Sequence, residues 1–153
     1  MKRLLLLAAL LALVSAATAT AANTPTKYRN TMNAICRAYT PKLKGAEDTM
    51  ARATTSQRKQ NFEPAMRLYL GLALQQNHQL EAVRVPARLQ KQMRPVLKLM
   101  RKVDPHLFTA LQRSRAGDLK GTRSQLKTIS KIAVPLNGRL DAAGLLDCGS
   151  NQP

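Results

Sequence analysis

The sequence predicts an all-α protein: an up-down-up-down four-helix bundle with proline kinks, tied by one terminal disulfide. Three observations point there. Apolar residues recur at three- and four-residue steps along nearly the whole chain from Tyr28 onward, the spacing of one helix face. Pro, Gly and Asp punctuate that pattern at short intervals, and short connections make consecutive helices antiparallel. Two cysteines, Cys36 and Cys148, stand near the two ends of the patterned region. An up-down bundle brings the start of its first helix and the end of its fourth to one end.

The chain opens with a segment that reads as an address. Met1-Lys2-Arg3 is a short positive start, Leu4 to Val14 is an unbroken apolar run, and Ser15 to Ala22 holds only Ser, Ala and Thr. That order is the three-part pattern of a secretory signal peptide. Ala19-Thr20-Ala21 fits small-x-small cleavage, so the cut is expected after Ala21 or Ala22. The apolar run is shorter than the ~20 residues a spanning helix needs, so no transmembrane span is expected after cleavage. The organisation is then 1–22 signal peptide, 23–149 helical bundle domain and 150–153 frayed tail. Export places the two cysteines in an oxidising compartment, where a lone pair permits one intramolecular bridge. A redox pair is the alternative, but catalytic dithiols sit close in sequence, and these are 112 residues apart.

In the first helix Tyr28, Met32, Ile35, Cys36 and Tyr39 form one stripe, which buries Cys36. Thr40-Pro41 is expected to disturb it, with Leu43, Ala46 and Met50 on a continuation after a bend or break. Thr54 and Gln57 have the spacing of a capping box before the second helix. There Phe62, Met66, Tyr69, Ala73 and Leu80 mark one face, with Pro64 in the first turn or at a kink. Leu68 to Leu74 alternates like a strand, but no second strand-like run exists to pair with it, so a helix buried on most sides is preferred. The third helix carries Leu89, Met93, Val96, Leu97, Met100, Val103, Leu107 and Leu111 between Val85-Pro86 and Gly117. Pro95 and Pro105 should bend it, or Asp104-Pro105 restart it. The fourth runs from an Asp118 N-cap through Leu119, Leu126, Ile129, Ile132, Leu136, Leu140 and Ala143. Pro135 is another kink, and Gly144 has the place of a left-handed cap over which Leu145 or Leu146 folds back.

Charge is the strongest surface signal. The 25 bases and 8 acids give +17, and a cut after Ala22 removes Lys2 and Arg3 but no acid, leaving +15. Arg84, Arg88, Lys91, Arg94, Lys98, Arg101 and Lys102 fall opposite the apolar stripe of the third helix. Lys120, Arg123, Lys127 and Lys131 do the same on the fourth. These eleven residues are the candidate anion-binding set. A solvated face that keeps the protein soluble is the plain alternative. The partners expected are anionic envelope polymers or lipid headgroups, bound electrostatically. Specific nucleic-acid binding is not expected, because the five Tyr and Phe do not interleave the basic stripes.

Other chemistry is thinly supplied. Two Cys and two His cannot frame a zinc or iron–sulfur site built from those ligands. No nucleophile elbow, phosphate-cradling glycine loop or haem-attachment motif is written. His78 lies among amides and is expected to face solvent, and His106 is expected in the first turn of a restarted helix. Met32, Met50, Met66, Met93 and Met100 fall mostly on apolar stripes and read as core. No cofactor, metal or catalytic residue is therefore expected, and oligomeric state stays open. The leading expectation is an exported, non-enzymatic protein acting at the cell envelope. The competing classes are an enzyme or small-ligand carrier with its site inside the bundle, and a partner-binding module marked by an exposed apolar patch.

Ala34-Ile35-Cys36, Val85-Pro86 with Leu89, Arg115-Ala116-Gly117-Asp118 and Ala143-Gly144-Leu145-Leu146-Asp147-Cys148-Gly149 follow one another in order. Together they resemble a group of small exported helical proteins of high-GC Gram-positive bacteria, with a signal peptide, an early Cys and a Leu-x-x-Cys-Gly-like end. The resemblance implies export and the bridge. It implies no activity, and the strong basic charge of this chain departs from the group.

Overall fold

The computed structural model describes residues 24–55 and 59–149. The expected signal segment 1–22, the tail 150–153 and Gln57 of the expected capping box lie outside them. Four helices run α1 (Pro25–Thr55), α2 (Phe62–Ala82), α3 (Gln90–Arg115) and α4 (Leu119–Ala142). Single 3-10 turns at Lys59–Asn61, Ala87–Leu89 and Leu146–Cys148 join or end them. No strand occurs among the described residues; Leu68 to Leu74 lies inside α2, a helix as preferred, but not one buried on most sides, since Leu70 is enclosed while Leu68 is exposed.

Antiparallel packing runs α1 on α2, α2 on α3 and α3 on α4. Two apolar clusters fill the interior. At the end holding the start of α1 and the end of α4, Tyr28, Met32, Cys36, Leu80, Leu89, Met93, Val96, Met100, Leu140, Leu145 and Cys148 pack together. At the other end Met66, Leu70, Val103, Leu107, Ala110 and Leu111 do so. Leu70, Met93 and Val96 are fully or almost fully enclosed, each stabilising by about 1.5–3 kcal/mol against exposure. Burial without a hydrogen-bond partner pushes the Tyr28 phenol up to about 12.

The prolines correct the expected boundaries. α1 runs unbroken through Pro41 and α3 through both Pro95 and Pro105, and Pro135 sits within α4. Pro41, Pro105 and Pro135 are exposed, so the carbonyl each leaves unpaired one turn back is on the side where water can reach it. Asp104 therefore caps nothing; its carboxylate accepts from Asn77 Nδ2 at 2.6 Å instead. Residue 54 still belongs to α1, and α2 starts after Asn61 with Pro64 in its first turn.

Both later helix ends follow the sequence. Gly117 and Gly144 take φ of 74° and 75°, the left-handed region that costs other L-residues about 1–2 kcal/mol. At each, paired backbone bonds close a Schellman turn: Asp118 N–H to Arg113 O at 2.9 Å with Gly117 N–H to Ser114 O at 3.2 Å, and Leu145 N–H to Leu140 O at 2.9 Å with Gly144 N–H to Asp141 O at 2.9 Å. Leu145 is the residue that folds back and buries, while Leu146 stays exposed. Asp118 then caps α4, accepting the Gly121 amide at 2.7 Å. That amide, then the Arg113 guanidinium at 2.6 Å, holds the Asp118 carboxyl below its usual range. The cap's contribution is thus present above the unfolded carboxylate pKa and is lost as pH falls through the folded value.

Cys36 and Cys148 are bonded, with their Cα atoms 5.2 Å apart. The bridge seats the Leu146–Cys148 turn against α1. Around it Arg29 Nε donates to Ala143 O at 2.8 Å, Asn33 Nδ2 to Gly144 O at 3.4 Å, and Arg37 pairs with Asp147. Gln92 of α3 donates to Ala142 O at 2.9 Å. The carbonyls that the end of α4 leaves open are thus met by side chains of α1 and α3.

Candidate functional site

All eleven bases of the candidate anion-binding set are exposed. Among the described residues none of them forms a salt bridge; the acids Asp104, Asp118 and Asp147 pair with His78, Arg113 and Arg37 instead. Arg101 and Lys120 lie within electrostatic reach of Glu81 and Asp118. Two of the seven expected on the third helix are not on α3: Arg84 lies in the connection after α2 and Arg88 in the 3-10 turn Ala87–Leu89. This displacement concentrates charge. Arg84, Arg94 and Arg101 line one hollow of about 380 Å³ whose other walls are Val85, Gln90, Met93 and Leu97. Arg94 and Arg101 are two helical turns apart on one face of α3. The hollow adjoins the start of α3, where Leu89 supplies no side-chain cap and the first turn carries no acid. The helix dipole there adds to the guanidinium charge.

Within electrostatic reach of Arg101 lies a polar cluster between α2 and α3. Asn77 donates to Asp104 and to Met100 O, the latter at 3.3 Å, and His78 Nε2 stands 3.5 Å from Asp104. Glu81 Oε1 is buried without a hydrogen-bond partner. Burial, then the Asp104 charge, raises the Glu81 carboxyl above its usual range against the pull of Arg101 and His78. Its ionised form is therefore penalised in the folded state, and stability from this group increases as pH falls through the raised pKa. Glu81→Gln is expected to melt higher than wild type near pH 7, with the difference closing as pH falls to about 4. Thermal melts across that range check it; a lower melting point at pH 7 would mean that the Arg101 and His78 attraction outweighs burial.

The histidines separate. His78 is exposed, as expected. His106 is not in a first turn; it sits within the unbroken α3, half-buried, with Nδ1 2.8 Å from Gln125 Oε1. No group of three His, Cys, Asp or Glu that could hold a metal ion occurs among the described residues. Met32, Met66, Met93 and Met100 are core. Exposed large apolar residues Leu68, Phe108, Val134 and Leu146 each stand on a different element. No helix of the described residues is long and apolar enough to cross a membrane.

The feature the sequence did not announce is a seam. α1 and α4 share no packing comparable to that of the other neighbours, and between them the bundle opens into a cleft of about 410 Å³ reached by all four helices. Leu126, Ile129 and Leu136 of α4 are only half-buried there, as is Leu43 of α1. Ser130 and Asn137 bring polar groups to the wall, and Cys36 and Cys148 stand at one end. Tyr69, whose hydroxyl is hydrogen-bonded to Glu47, lines it too, and burial first and Glu47 second raise its phenol. In the sequence Leu126, Ser130, Ala133, Asn137 and Leu140 step by 4, 3, 4 and 3, one helical line with two polar members, but that stepping does not say that the line is left uncovered.

No protein-family model matches the chain, and searches among curated proteins and among solved structures find no match.

Proposed function

We propose that the chain is exported through its N-terminal segment and attaches, without catalysis, to a phosphate-bearing polyanion at the cell envelope. The observation that carries this reading is the convergence of Arg84, Arg94 and Arg101 on one hollow, with none of the three in a salt bridge among the described residues. A guanidinium offers a planar fork of donors matched to phosphate oxygens. Lys91, Lys98 and Lys102 of α3 and Lys120, Arg123, Lys127 and Lys131 of α4 extend the positive surface, since those two helices pack side by side. The bridge and the lack of a spanning helix among the described residues are compatible with a place outside the cytoplasm.

The test is a salt titration of the mature protein against three probes: a polyglycerol-phosphate polymer, vesicles of phosphatidylglycerol with phosphatidylcholine, and duplex DNA. Binding to the polymer or the vesicles near 0.05 M salt, with log affinity falling linearly in log salt, is the expected result. Polymer binding without vesicle binding assigns a soluble chain, and the reverse assigns a headgroup surface. Failure to bind either one near 0.05 M would reduce the basic faces to a solubility device.

A further inference from the structure

The structure assigns a second site, which shares Arg123 and Lys127 with the basic surface but not the arginine hollow: we propose that the seam between α1 and α4 holds the acyl chain of one long-chain fatty acid. Its lining runs along α4 from Leu126 to Leu140, about 21 Å at the helical rise of 1.5 Å per residue. A cleft of about 410 Å³ over that length has a mean cross-section near 20 Å², which is that of one polymethylene chain. Branched, ring-shaped or two-chain ligands need a wider channel. The walls are mainly apolar: Leu43, Ala73, Leu80, Val103, Leu107, Ile129 and Ala133 among them.

The two ends differ. Towards Leu140 the seam closes on the Cys36–Cys148 bridge and the turn it holds, so the methyl end belongs there. Towards Leu126 the next turn of α4 carries Arg123, and Lys127 precedes Ser130 by one turn on the same side of the helix. Both bases are exposed and neither forms a salt bridge among the described residues. Glu47, at the Tyr69 hydroxyl, is the acid on the α1 side. Two cations against one hydrogen-bonded acid favour a carboxylate head over a cationic one. The apolar stripe of α4 gains from a bound chain the burial that α1 does not give it. This site is independent of the arginine hollow, which lies between the α2–α3 connection and α3.

The experiment is displacement of a fluorescent fatty acid from the mature protein by palmitate, kept below its micelle concentration, with a neutral alkyl maltoside of equal chain length as control. One palmitate per protein is expected, with the maltoside weaker by about tenfold or more. Ala133→Phe, which fills the channel, should abolish displacement. Arg123→Gln with Lys127→Gln, both at exposed positions that leave the core intact, should weaken palmitate about fivefold and leave the maltoside unchanged. Absence of saturable palmitate binding, equal binding of the maltoside, or full binding by a folded Ala133→Phe variant would overturn the assignment. If Ala133→Phe does not fold, the stoichiometry and the Arg123/Lys127 pair decide it.

Discussion

Replacing Cys36 and Cys148 together by alanine is expected to lower stability by roughly 4–5 kcal/mol. The bridge closes a separation of 112 residues, and the chain-entropy relation gives close to 5 kcal/mol for a loop of that size, at the upper end of the 2–5 found when native bridges are removed. For a domain of this length that corresponds to a melting point lower by roughly 10–20 °C. Local packing seats the bridge: Cys36 is fully buried on α1, and Leu145, just before the turn, is fully buried too. Three further ties hold this end of the chain to α1: Arg29 and Asn33 bond Ala143 O and Gly144 O just before the turn, and Arg37 pairs with Asp147 within it. Arg37 and Asp147 are both substantially exposed, and exposed pairs contribute about 0–1 kcal/mol. Thermal melts of wild type with and without reductant separate the covalent link from the loss of two buried sulfurs. A drop under about 1 kcal/mol in the reduced protein would mean that the Arg29, Asn33 and Arg37 contacts hold the turn by themselves.

Local chemistry explains which parts of this fold could be read from the chain. Gly144-Leu145 was legible because a left-handed glycine followed by a foldback residue has few other uses, and that turn forms as expected; the sequence marks Gly117 only as a helix end, and the structure adds the same left-handed turn there. The Cys36–Cys148 pairing was legible by count. Only the break at Pro41 and the restart at Asp104-Pro105 are not realised: Pro41 and Pro105 are on exposed positions, where the broken backbone bond is hydrated rather than buried, so each helix continues past its proline. The seam was illegible for a different reason. Leu126, Ile129, Ile132 and Leu136 form as good an apolar stripe as any in the chain, and a stripe predicts that a face is covered without naming the cover. Here the Leu146–Cys148 turn packs against both α1 and α4 and fills the gap at one end only. Likewise the eleven bases were all placed correctly on the surface, yet the convergence of Arg84 with Arg94 and Arg101 depends on how the α2–α3 connection folds back, which no periodicity encodes.

Two triple variants of equal charge should separate a shaped phosphate site from a diffuse positive field. Arg84→Gln, Arg94→Gln and Arg101→Gln empty the hollow; Lys91→Gln, Lys98→Gln and Lys102→Gln remove the same charge from the neighbouring exposed face of α3. Each neutralised phosphate contributes about 0.7–0.9 to the salt slope, so loss of three contacts flattens it by about 2–3. Extrapolated from 1 M, where the electrostatic term is small, that is on the order of 10²-fold weaker binding at 0.1 M salt. The arginine triple is expected to show the whole effect, because its guanidiniums line one pocket and can engage consecutive phosphates of one polymer together. The lysine triple is expected to show a smaller fraction of it, since its ammoniums act as separate point charges screened over ~8 Å at physiological salt. Removing Arg101 also takes away a charge that lowers the Glu81 pKa, so melting points of both triples belong beside the titrations. Folded variants that lose equal affinity would replace the shaped site with a field that depends on net charge alone. A lysine triple that loses more would move the phosphate contact from the hollow to the outer face of α3.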